Sequence, residues 1–118
     1  MFKVLFITRE NDWFHRLAQV FPDLDLQVER SDSPAKALKQ QQESPAEVIV
    51  FDIEFARTSG DPLREVKHVA GGSKIILLAS SDFKPSPEEL SNIGIQVLTK
   101  PITVGEIGLA LSRAKRAS

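Results

Sequence analysis

The sequence predicts one α/β domain, a three-layer α/β/α sandwich around a five-stranded parallel sheet, from three observations. The apolar runs at 4–7, 48–51 and 75–79 are unbroken, too short for core helices and rich in valine, isoleucine and leucine. That pattern suits strands covered on both faces. Ser33-Pro34, Asp61-Pro62 and Ser86-Pro87 each place a capping side chain before a proline, the signature of a helix start. Strand-like and helix-like segments alternate five times, as a parallel sheet with crossover helices requires.

Taken in order, the run at 4–7 is the first strand, and the polar stretch at 8–12 follows it as a loop. Asn11 or Asp12 caps a helix whose apolar positions are Phe14, Leu17, Ala18 and Phe21, and Pro22 stops it. Residues 23–30 alternate around Leu24, Leu26 and Val28, a weaker strand expected at the sheet edge. Ser33 opens the second helix, whose thin apolar face is Ala35, Ala37 and Leu38. The run at 40–43 reads as its solvated end, closed by Ser44-Pro45. The central strand ends abruptly at Asp52, and residues 53–60 are expected to form a loop. Leu63, Val66, Val69 and Ala70 face inward from the third helix, which Gly71-Gly72 terminates. The fourth strand, 74–79, leads into Ser80-Ser81-Asp82. A fourth helix from Ser86-Pro87 carries Leu90 and Ile93 and ends at Gly94. The fifth strand, 95–99, leads into Lys100-Pro101. Thr103 and Glu106 form a capping box for a last helix with Val104, Ile107, Leu111 and Ala114 inward.

Composition narrows the function. With 118 residues, 42% of them hydrophobic and 26% charged, residues 1–118 fit a single folded domain with a real core. A net charge of −1 supplies no field for nucleic acid as a primary partner. No apolar run approaches the ~20 residues that span a membrane, and the N-terminus lacks a signal-peptide pattern. A cytoplasmic domain is the expectation. Having no cysteine, the chain has no disulfide, thiolate nucleophile or cysteine zinc site. Of its two imidazoles, His15 reads as a solvent-facing position of the first helix and His68 has no second ligand near it in sequence. Gly-rich dinucleotide and Gly-x-Ser-x-Gly motifs are absent.

In an open parallel sheet, chemistry sits beyond the carboxyl ends of the strands. Thr8-Arg9, Asp52, Ser80 and Lys100-Pro101 all fall there. The apolar strand ending at Asp52, Gly60 eight residues later and the Lys100-Pro101 pair before the last helix resemble the response-regulator receiver domain of two-component signalling, over essentially the whole chain. The resemblance implies a flavodoxin-like (CheY-like) fold with strand order 2-1-3-4-5 and a signalling module rather than an enzyme. It implies that Asp52 accepts a phosphoryl group in a phosphorelay to switch partner binding. Lys100 would neutralise the transferred group, a hydroxyl at Ser80 would bond it, and Pro101 would follow a cis peptide bond. It further implies a histidine kinase or phosphotransfer protein as donor, a downstream protein partner, and a homodimer face on the last helices, with no nucleic acid and no membrane.

The departures are as informative. The family carries two adjacent acidic residues after its first strand to hold magnesium. Here Thr8 and Arg9 occupy those positions, leaving Asp52 and the backbone of Glu54 as the expected metal contacts. Glu10 and Asp12 read as surface and cap residues. The simplest register puts Ala79 in the family's hydroxyl position and Ser80 one residue later. Val97 stands where many relatives have an aromatic switch residue. A guanidinium at Arg9 within ~4 Å of Asp52 would attract it by roughly 1–4 kcal/mol and compete with phosphorylation. The alternative is therefore a degenerate receiver that binds partners without phosphorylation. A third reading is an unrelated flavodoxin-like binding domain, for which a flavin would be the sign.

Overall fold

The computed structural model describes residues 2–8, 13–20, 25–56, 60–83 and 95–116. The strands are β1 (Phe2–Ile7), β2 (Leu26–Ser31), β3 (Val48–Asp52), β4 (Lys74–Ala79) and β5 (Ile95–Thr99). Helices α1 (Trp13–Val20), α2 (Pro34–Glu43), α3 (Pro62–Ala70) and α4 (Val104–Arg116) connect and follow them. Arg9, the proposed caps Asn11 and Asp12, Phe21, Pro22, Leu24 and the helix expected between Ser86 and Gly94 lie outside the described residues.

The five strands form one sheet in the order β2-β1-β3-β4-β5, with every neighbouring pair parallel. The weakly alternating strand, β2, is at the edge as expected. Side chains of successive strand residues point to opposite faces, and this alternation divides the interior into two cores. Leu5, Ile7, Ile49, Phe51, Ile75 and Leu77 pack beneath α2 and α3, against Ala37, Leu63, Val66 and Val69. Val4, Phe6, Val48, Val50, Ile76 and Leu78 pack beneath α1 and α4, against Leu17, Ile107, Ala110 and Leu111. Each such aliphatic side chain contributes about 1.5–3 kcal/mol by leaving water. That is why the runs at 48–51 and 75–79 carry no polar residue.

The helix starts follow their caps. The Ser33 hydroxyl accepts from the Lys36 amide at 3.2 Å, and the Asp61 carboxylate accepts from the Arg64 amide at 3.2 Å. Thr103 and Glu106 form the reciprocal box, each backbone N–H donating to the other's side chain at 3.1 Å. Gly71 ends α3 with φ at +62°, a left-handed conformation that glycine adopts without strain.

Two expectations require correction. The segment expected to be a loop after Asp52 begins with a 3₁₀ turn, Ile53–Ala56, whose Ile53 and Ala56 are buried. These apolar side chains find the α3 core within a single tight turn. The end of α2 is not fully solvated either: Gln41 is buried while Ala35 is exposed. Ala37 and Gln41 stand one helical turn apart and share the inward face. The Gln41 amide donates to the Ala70 carbonyl at 3.0 Å and the Ser73 hydroxyl at 2.9 Å, and accepts from the Ala46 amide at 2.7 Å. With its amide fully paired, a polar side chain is tolerated in that position.

Candidate functional site at the strand ends

The site is assembled by sheet register. Ile7 pairs with Phe51, so Thr8 and Asp52 follow at the same level on neighbouring strands. Asp52 itself pairs with Leu78 on β4. By alternation Asp52 belongs to the α1/α4 face with Val48 and Val50, and Thr8 shares that face with Val4 and Phe6. Both are nearly or wholly buried, Asp52 with 6% exposed and Thr8 with none.

A carboxylate so placed requires a counter-charge and hydrogen-bond donors. Lys100, one residue beyond β5, supplies the charge. Its Nζ donates to Oδ1 of Asp52 at 2.9 Å and to Oδ2 at 3.1 Å, spanning both oxygens. The Glu54 backbone N–H donates to Oδ1 at 3.1 Å. Lys100 is held in turn by its own backbone: its N–H donates to the Ala79 carbonyl at 2.8 Å, continuing the register that pairs Ala79 with Thr99. The Lys100–Pro101 peptide bond is cis.

The structure thus brings together Asp52, Lys100 and Thr8 among the expected residues, with Glu54 contributing its amide. Pro101 follows at the exposed turn. Ala79, in the register expected for a hydroxyl, has its methyl in the core beneath α2 and α3. Ser80 instead lines a pocket of about 250 Å³ with Ile53, Glu54, Pro62, Asp82 and Phe83. Val97 is half-buried against the same core. The amide of Glu54 and the carbonyl of Ala79 were not legible as site groups, because backbone groups leave no side-chain signature.

Magnesium prefers carboxylate oxygens with retained waters. Here both Asp52 oxygens are already engaged by an ammonium group, Thr8 is neutral, and the Glu54 side chain belongs to an exposed residue. Among the described residues no three acidic or histidine side chains gather around one point. Among the described residues, this donor set does not fit a resident magnesium ion. What the arrangement offers chemically is a nearly buried carboxylate at the end of the central strand, pre-paired with a cation able to move onto a transferred anionic group.

No family model matches the sequence, and no curated protein matches it. Solved structures do resemble it in shape. A response-regulator receiver domain protein from Clostridium thermocellum superposes with a TM-score of 0.73 at 21% identity, over 99% of this chain and 96% of that one. A CheY-like receiver domain from Methylobacillus flagellatus gives 0.71 at 16% identity, over 97% and 98%. A receiver protein from Sinorhizobium medicae gives 0.65 at 20% identity, over 98% and 95%. The architecture is that of the CheY-like receiver domains, and likeness at these identities is one of fold. No described helix is long and apolar enough to cross a membrane.

Proposed function

We propose that this chain is a receiver domain of two-component signalling that accepts a phosphoryl group on Asp52 and thereby switches the binding of a protein partner. The observation that carries this reading is the Asp52–Lys100 pair: a carboxylate at the carboxyl end of the central strand, its two oxygens 2.9 and 3.1 Å from one ammonium nitrogen. A carboxylate oxygen of Asp52 attacks the phosphorus of a phosphohistidine on the donor protein. A new P–O bond forms while the P–N bond breaks, and the leaving imidazole takes the electron pair and then a proton. Lys100 stays with the added phosphoryl oxygens, offsetting charge where it accumulates.

A second reading has its own support. Thr8 is buried where an acidic residue would serve the metal, and Arg9 follows it in sequence. These substitutions favour a degenerate receiver whose Asp52–Lys100 pair stays closed and whose surface binds partners without phosphorylation. A homodimer through the last helices is compatible with either.

Intact-mass spectrometry after acetyl phosphate treatment distinguishes the two. A single added phosphoryl group, lost in Asp52→Asn, supports the first; the same experiment with magnesium present or removed reads any need for the ion. No adduct under either condition, with Asp52→Asn folded and binding partners unchanged, overturns the first and supports the second. A Thr8→Asp, Arg9→Asp variant that then gains the adduct would trace the deficiency to the missing acidic pair.

A further inference from the structure

We propose that the cleft between the end of β2 and helix α2 is a second, anion-binding site, fitted to a small ligand bearing at least two phosphate charges. The cleft encloses about 440 Å³ and is lined by Arg30, Ser31, Asp32, Lys36, Lys39 and Gln40. That volume falls in the range of small-ligand pockets. It belongs to the edge of the sheet at β2, two strands from Asp52, and shares no lining residue with the phosphoacceptor site.

Three cations enter this cleft from two elements, Arg30 from the strand and Lys36 and Lys39 from one face of the helix. Residues three apart on a helix are neighbours, so the two lysines repel each other. Among the described residues that line the cleft the one carboxylate, Asp32, is 3.0 Å from Lys36, and this pair neutralises itself. Arg30 and Lys39 remain as two positive charges facing the same space. Gln40 lines the same cleft, and its side-chain amide nitrogen is a donor for an anion beside the two cations. A diphosphate fits this set, because guanidinium and ammonium groups each engage separate phosphoryl oxygens.

The proposal is tested by titrating the full chain with inorganic pyrophosphate and following backbone amides by NMR. Expected are saturable shifts confined to residues 30–40. Arg30→Gln and Lys39→Gln should each weaken binding about tenfold, one charge-assisted contact apiece. Asp32→Asn should tighten it severalfold by releasing Lys36, and Lys67→Gln, an exposed lysine on α3, should leave it unchanged. Gln40→Met, which keeps the bulk and removes the amide, reads the amide's part as a severalfold loss. Shifts that never saturate, that spread equally to Lys67, or that survive the Arg30 and Lys39 substitutions would overturn it. So would saturable binding of a short polyglutamate peptide at this cleft with none of pyrophosphate, which would make it a protein-docking surface.

Discussion

Replacing Lys100 with methionine tests whether Asp52 and Lys100 act as one unit. Methionine keeps the length of the side chain and removes its charge, leaving the Asp52 carboxylate with the Glu54 N–H alone among the bonds described above. At 2.9 Å the bare attraction is roughly 1.4 kcal/mol at a dielectric of 80 and 5.7 kcal/mol at 20. The Asp52 side chain is 8% exposed but that of Lys100 is 29% exposed, so solvent screens one end of the pair and the upper figure is too large. Removing one partner of a fully buried pair costs about 3–5 kcal/mol, whereas an exposed pair is worth under about 1 kcal/mol. This intermediate pair should lie near 2 kcal/mol. Urea unfolding followed by circular dichroism measures it, best as a double-mutant cycle with Asp52→Asn. The cost of Lys100→Met should fall by about 2 kcal/mol when residue 52 is already neutral, since coupling in such cycles isolates the pairwise interaction. A coupling below about 0.5 kcal/mol would refute the reasoning, by showing that the two groups are solvated independently in solution.

Three further outcomes are expected. Gln41→Ala removes three hydrogen bonds and leaves the Ala46 amide without its partner, which should cost about 2–4 kcal/mol in the same unfolding assay. Thr103→Ala breaks the capping box and should cost about 1 kcal/mol, an effect that Thr103→Ser largely restores. Asp32 has its carboxyl held below the ordinary value of 3.8, first by its hydrogen bond with Lys36 and then by the charge of that lysine. A depressed folded-state value means that its contribution is present above pH 3.8 and is lost as pH falls through the lower folded value. Carboxyl NMR should place its midpoint below 3.8 and move it upward in Lys36→Met.

Much of the architecture was decided by residue pattern alone. The unbroken runs in β1, β3 and β4 could be covered only by helices on both sides, and that forced a parallel sheet. The Ser-Pro and Asp-Pro starts at 33 and 61 were legible because capping is a contact between residues three apart, and so was the Thr103–Glu106 box. Asp52 stood out as a charge at the end of an apolar strand, and Lys100 through the Lys100-Pro101 pair that carries the resemblance to receiver domains.

What they do together was decided by the tertiary structure. They lie 48 residues apart, and only the stacking of β3, β4 and β5 brings Nζ to both carboxylate oxygens. Ala79 and Ser80 could not be told apart for a hydroxyl role in one dimension, because a slip of one residue exchanges the two faces of a strand. The observed register sends the Ala79 methyl into the core and leaves Ser80 beside a pocket. Gln41 was misread for a related reason. Helical spacing put it on the inward face, but polarity argued for solvent, and only the Ala46, Ala70 and Ser73 groups brought to it from other parts of the chain reverse that balance. Sequence determines which residues are free to be buried; the fold determines which polar groups find partners once they are.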